Sequence, residues 1–156
     1  MKKILIVYHS QEKGNTRRMA ELVADGCRAV KGIAVELIDV NERRVDIAAV
    51  EAADALALGS PDYFSYVAGG LKQFFDDLKL AEWAGRKVTD KPYVGFVTHG
   101  GGGKAVESLE KLAKSCKLAK VADSVLCKAA PEQKEDMDKA VALGAALARH
   151  VVEAKR

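Results

Sequence analysis

Residues Lys3–Thr16 read KILIVYHSQEKGNT. Ile4 to Tyr8 form an unbroken apolar run, the pattern of a parallel strand covered on both faces, and Gly14-Asn15-Thr16 open a stretch with helical spacing. A strand, a loop and a helix start therefore follow one another directly. Between them Ser10, Gln11, Lys13, Asn15 and Thr16 bring hydroxyls, amides and a cation to the free N–H groups of a helix N-terminus, whose dipole favours an anion. This arrangement predicts a phosphate site.

Outward from that stretch, the helix is expected to run to about residue 30, with Met19, Leu22, Val23, Cys27 and Val30 on one face and Gly32 closing it. Residues 33–40 predict a second strand, in which Glu36 and Asp39 interrupt the apolar face as suits a place near a sheet edge. Residues 41–53 allow a short helix capped by Asp46. A third strand over residues 54–59 is expected to stop at Ser60-Pro61. The next helix carries Val67, Leu71, Phe74, Phe75 and Leu78 on one face, and Trp83 is expected to pack in the connection behind it. Pro92–Thr98 predict a fourth strand running into His99 and Gly100 to Gly103. A helix with Val106, Leu109, Leu112, Ala113 and Cys116 inside follows. Residues 119–127 read as a fifth strand bulged about Asp123-Ser124, and Pro131-Glu132 begin a last helix. This alternation implies an α/β fold: one three-layer domain over residues 1–156, with a five-stranded parallel sheet and helices on both faces. Ligands of such sheets bind beyond the carboxyl ends of the strands. The loops after the first, third and fourth strands all lie there.

The composition bounds the partners. A chain of 156 residues with 49% apolar and 30% charged residues forms a folded domain that needs no metal or disulfide staple. The net charge of +3 is spread thinly and speaks against a nucleic-acid stripe. MKKILIVYHS is too short in its apolar part for a signal peptide, and no stretch is long enough for membrane insertion. Cys27, Cys116 and Cys127 lack metal-ligand spacing and predict buried free thiols in a cytoplasmic protein.

Several phosphate-binding classes fail on their motifs. The first loop has Gly14 alone where a Rossmann fingerprint needs three spaced glycines, so Asp39 is weak support for a ribose contact. A Walker loop at Gly103-Lys104 would need glycine at Thr98 and a hydroxyl at Ala105. A phosphoacceptor receiver needs carboxylates where this chain has Tyr8-His9 and Gly59-Ser60.

Ser10-Gln11-Glu12-Lys13-Gly14-Asn15-Thr16 instead resembles the FMN phosphate loop of flavodoxin-like proteins. Gly59-Ser60-Pro61-Asp62-Tyr63-Phe64, followed by Leu71-Lys72-Gln73-Phe74-Phe75-Asp76, is similar to their second flavin loop and its helix. The resemblance covers essentially the whole chain and implies the strand order 2-1-3-4-5. It implies that Ser10, Gln11, Lys13, Gly14, Asn15 and Thr16 hold the FMN phosphate. Ser60, Pro61, Asp62, Tyr63, Phe64 and Ser65, with Thr98, His99, Gly100, Gly101 and Gly102, would flank the ribityl chain and the isoalloxazine.

Tyr63, Phe64 and Tyr66 are the expected aromatic face. The loop after the fourth strand offers His99 and glycines where shuttle flavodoxins commonly carry an aromatic, and the chain is basic where shuttles are usually acidic. Both departures resemble the NAD(P)H-dependent FMN and quinone reductases, whereas the short chain resembles short-chain flavodoxins. The expectation is an FMN-binding electron-transfer protein that works with a redox partner protein. An NAD(P)H-dependent FMN or quinone reductase is the alternative, and a flavin-free interaction module the third reading. An oligomer is compatible with each.

Overall fold

Strand β1, Lys2–Tyr8, is flanked by strands on both sides, and Ile4 to Val7 are wholly buried because helices cover both faces of the sheet. The structure, a computed structural model, describes residues 1–11 and 13–154. Glu12 of the first loop and the terminal Lys155-Arg156 lie outside the described residues. Helix α1 spans Asn15–Arg28, β2 Ile33–Asp39 and α2 Ile47–Ala52. Strand β3 spans Ala55–Tyr63, β4 Tyr66–Val67, α3 Gly69–Trp83, β5 Pro92–His99 and α4 Ala105–Ser115. Strands β6, Ala119–Lys120, and β7, Val125–Lys128, precede α5, Lys134–Glu153.

The sheet runs β2-β1-β3-β5-β6, with β7 also paired to β5 and β4 paired to β3. This is the expected order, and its pairings are parallel except for the β3–β4 hairpin. The sheet has seven strands rather than five. One addition comes from a break in the expected fifth strand. Tyr93 pairs with Lys120 and Phe96 with Val125, so residues 121–124 bulge opposite Val94 and Gly95. Ser124, in that bulge, donates its hydroxyl to Glu110 on α4 at 2.6 Å. The other addition is β4, which takes Val67 out of the expected helix and pairs it with Asp62.

Ser60-Pro61 do not stop β3, which continues to Tyr63. The carbonyl of Gly59 accepts from His9 on the β1 side, so by alternation Pro61 also turns its nitrogen to that side. Pairing with β1 ends at Gly59, and no ladder bond there asks for the missing proline N–H. Phe64 and Ser65 then reverse the chain at φ 58° and 63°, the left-handed geometry of a two-residue hairpin turn. Trp83 ends α3 and is 74% exposed instead of packed, because Leu71, Phe74, Phe75, Leu78 and Ala81 define the buried stripe and Trp83 falls off it.

Asp46 caps α2 as expected, accepting from the Ala48 N–H at 3.0 Å. Helices α1 and α5 cover one face of the sheet over Ile4, Ile6 and Phe96, whereas α2, α3 and α4 cover the other over Leu5, Val7 and Leu58. The α1–α5 contact depends on two glycines. A Cβ at Gly26 would fall on the carbonyl of Val141, and one at Gly144 on the carbonyl of Val23. The three cysteines are free and buried, and burial pushes the Cys27 thiol up to about 12 and that of Cys127 up to about 11. Both are therefore protonated packing groups.

Candidate functional site

The loops after β1, β3 and β5 meet beyond the carboxyl ends of the strands around a cavity of about 390 Å³. Ser10, Gln11, Lys13, Gly14, Asn15 and Thr16 line it from the first loop and the start of α1, Pro61, Asp62 and Tyr63 from the end of β3, and Thr98, His99 and Gly100 from the end of β5 and the loop behind it. Ala129, just past β7, completes the wall.

The first loop is shaped to present donors. Gly14 is the N-cap of α1 at φ 71°, a left-handed conformation that glycine adopts without Cβ strain, and no side chain caps it. The N–H groups of Asn15 and Thr16 therefore belong to a first turn without intrahelical acceptors. Ser10 accepts the Arg17 N–H at 3.1 Å and keeps its own hydroxyl proton for another partner. Asp39, at the end of β2, fixes the loop from behind. Its Oδ1 accepts from the backbone N–H groups of Ser10 at 3.2 Å and Asn41 at 3.0 Å, while the Asn41 amide donates to the Ser10 carbonyl at 2.9 Å. Asp39 thus braces the first loop.

Charge at the site is sorted by pairing. Arg17 reaches Asp39 at 3.0 Å and Glu42 at 3.1 Å, and Arg18 lies 3.8 Å from Glu21. Among the described residues that line the cavity, Lys13 is the only lysine or arginine.

The second and third loops hold the opposite walls. Ser60 is fully buried; its hydroxyl accepts from the Ala68 N–H at 2.8 Å and donates to the Pro61 carbonyl at 2.7 Å, which ties the hairpin to the start of α3. Phe64 and Ser65 sit exposed at the hairpin tip, outside the cavity wall, as do Gly101 and Gly102 in the third loop. Asp62 bridges these loops in space, for a Cβ on Gly102 would lie 3.6 Å from its Oδ2. Thr16 and Thr98 join the first loop to the third through hydroxyls 2.7 Å apart. His99 accepts the Ala129 N–H on its carbonyl at 2.8 Å, while its ring Nδ1 is buried without a protein partner.

Sequence reasoning missed Ala129 and His9. Ala129 has no chemistry to flag it, and His9 reads as an ordinary loop residue until the fold brings Gly70 to its ring.

These residues suit a phosphomonoester carried on a flat, partly apolar group. An anion there would meet an open helix N-terminus, two hydroxyl residues and one cation, and Tyr63 and Pro61 offer an apolar wall. The orphaned His99 nitrogen is a polar group for a ligand to satisfy.

Residues 2–132 match the family described as NADPH-dependent FMN reductase. Among curated proteins, a flavodoxin of Aquifex aeolicus is 39% identical over 103 residues, covering 66% of this chain and 53% of the relative. An NAD(P)H dehydrogenase (quinone) of Archaeoglobus fulgidus is 32% identical over 127 residues, covering 65% of each. The chain thus spans about half to two thirds of the length of these relatives. Among solved structures, a flavodoxin from the domain Archaea superposes with a TM-score of 0.83 at 22% identity, covering 97% of this chain and 99% of the other. That likeness shows the shared fold.

Proposed function

This chain belongs to the NADPH-dependent FMN reductase family, and from that premise we propose that it is an electron carrier whose bound FMN exchanges electrons with a redox partner protein. The observation that carries this reading is the convergence of the donor-rich first loop with an aromatic rim. Tyr63 lines the cavity, Tyr66 is 41% exposed beside it on β4, and Phe64 stands fully exposed at the hairpin tip. Exposed aromatics of this kind supply the contact area on which partner proteins dock.

FMN, when bound, supplies the one- and two-electron chemistry. The chain binds and orients it. Ser10, Lys13, Asn15, Thr16 and the amides of the first turn take the phosphate. Pro61–Tyr63 and Thr98–Gly100 flank the remainder, with Ser60 shaping the hairpin and Phe64, Ser65, Gly101 and Gly102 at the rim. Among the described residues no helix is long and apolar enough to cross a membrane.

A second reading, NAD(P)H-dependent reduction of FMN or a quinone, is favoured by one observation. The third loop presents His99 and glycines and no bulky side chain over its part of the cavity, which leaves room for a small planar substrate.

The test is a flavin titration followed by anaerobic reduction. FMN is expected to bind far more tightly than riboflavin, since each charge-assisted hydrogen bond to the phosphate is worth about 1.5 to 3 kcal/mol. Slow reduction by NADPH alone supports the carrier. Rapid multiple turnover with NADPH and a quinone moves the assignment to the reductase, and failure to take up FMN overturns both.

A further inference from the structure

His9 follows β1 directly and is only 5% exposed, and its ring joins three segments around the cavity. Nδ1 accepts the Gly70 N–H, in the first turn of α3, at 3.1 Å. The side-chain amide nitrogen of Gln11 lies 3.3 Å from Nε2. Tyr63 meets the ring edge-on, with centroids 6.2 Å apart at 83°. Gln11 and Tyr63 both line the cavity. The approach to α3 is tight, for a Cβ at Gly70 would come within 2.7 Å of Nδ1 and 2.6 Å of the Val40 carbonyl.

The Gly70 contact decides the form of the ring. An Nδ1 that accepts a backbone N–H must be unprotonated, so the proton of the neutral ring sits on Nε2, and turning over the Gln11 amide, whose nitrogen faces Nε2, brings its oxygen to that proton. Protonation would set N–H against N–H at Gly70. We infer that neutral His9 is a positioning residue of the FMN site, holding Gln11 and Tyr63 against the start of α3, and that its protonation releases them and weakens FMN binding. This inference rests on the FMN reading above.

The surroundings favour the neutral ring. Burial pushes the His9 pKa down, and Asp39, the charged group acting on the ring among the described residues, offsets this in part. Asp39 is itself paired to Arg17 at 3.0 Å. The Gln11 amide and the Gly70 and Val40 backbone carry no charge, and Tyr63 presents its ring to His9 edge-on. The folded pKa lies under the ordinary 6.5, so as pH falls through that window the unfolded chain takes a proton that the folded chain does not. Stability from His9 is complete above 6.5 and is lost as pH drops toward the folded value.

The test compares wild type with His9→Asn, which keeps an acceptor at the Nδ1 position and does not titrate. The second ionisation of the FMN phosphate, near about pH 6, weakens both proteins alike. Between about pH 7.5 and 5, wild type should lose about tenfold more FMN affinity than the variant, the scale of one buried donor left unpaired. Equal losses would overturn the inference. Nitrogen-15 NMR of the wild-type chain provides a reading that needs neither the variant nor the flavin. Nδ1 should be unprotonated near neutral pH, and the amide signals of Gln11, Tyr63 and Gly70 should move as His9 titrates. A protonated Nδ1, or amides indifferent to the titration, would overturn the positioning role. If wild type takes up no FMN at any pH, the functional reading fails, and the NMR result still decides whether His9 holds Gln11 and Tyr63.

Discussion

The hydroxyl oxygens of Thr16 and Thr98 lie 2.7 Å apart, both residues almost fully buried, and this contact ties the first turn of α1 to the end of β5. One hydroxyl must donate to the other, so one proton of the pair remains for a ligand in the cavity that both residues line. Thr16→Ala is expected to weaken FMN binding at least about tenfold while costing the fold roughly 1 kcal/mol. Flavin fluorescence quenching and thermal unfolding separate the two effects, and an unfolded Thr16→Ala protein would show the pair to be structural first.

Lys13 stands at the cavity while Arg17 is held by Asp39 and Glu42. A cation beside the positive end of a helix dipole is unfavourable unless an anion sits between them. FMN affinity should therefore fall as salt rises, and Lys13→Ala should lower it about threefold to tenfold at low ionic strength and flatten the salt dependence. An affinity unchanged by the substitution at low salt would leave Lys13 as a solvated loop residue.

Asp62 places a carboxyl on the cavity wall facing Gly102. Electron uptake that leaves the flavin anionic is opposed by a neighbouring negative charge, so Asp62→Asn should raise the potential of the second electron by some tens of millivolts. A shift of about 1 kcal/mol, the size of a screened charge pair near a surface, corresponds to roughly 40 mV for one electron. Spectroelectrochemical titration measures this directly, and coincident potentials would show that Asp62 turns its charge to water.

Gly26 and Gly144 let α1 and α5 touch backbone to backbone. Either glycine changed to alanine drives a methyl group into a carbonyl that cannot move without shifting its helix. A loss of at least about 2 to 3 kcal/mol is expected in denaturant unfolding. Gly69, at the start of α3, is the control, because a methyl group there would meet nothing within 4 Å, and Gly69→Ala should stay within about 0.5 kcal/mol.

The alternation of strands and helices, the order of the three loops, the helix start at Gly14-Asn15-Thr16 and the cap at Asp46 were all legible in the sequence. Each depends on residues close together along the chain: an apolar run, a helical repeat, or a side chain next to the N–H groups it serves. Tertiary structure decided the rest. Pro61 sits inside a strand because β1 stops pairing one turn of the pleat earlier. Ser60 commits its hydroxyl to Ala68 and Pro61, Asp39 braces the first loop from another strand, and His9 meets Gly70 across 61 positions of sequence. Register between distant elements determines which polar atoms meet, and the local pattern of a sequence specifies the elements but leaves that register to the packing of the whole core.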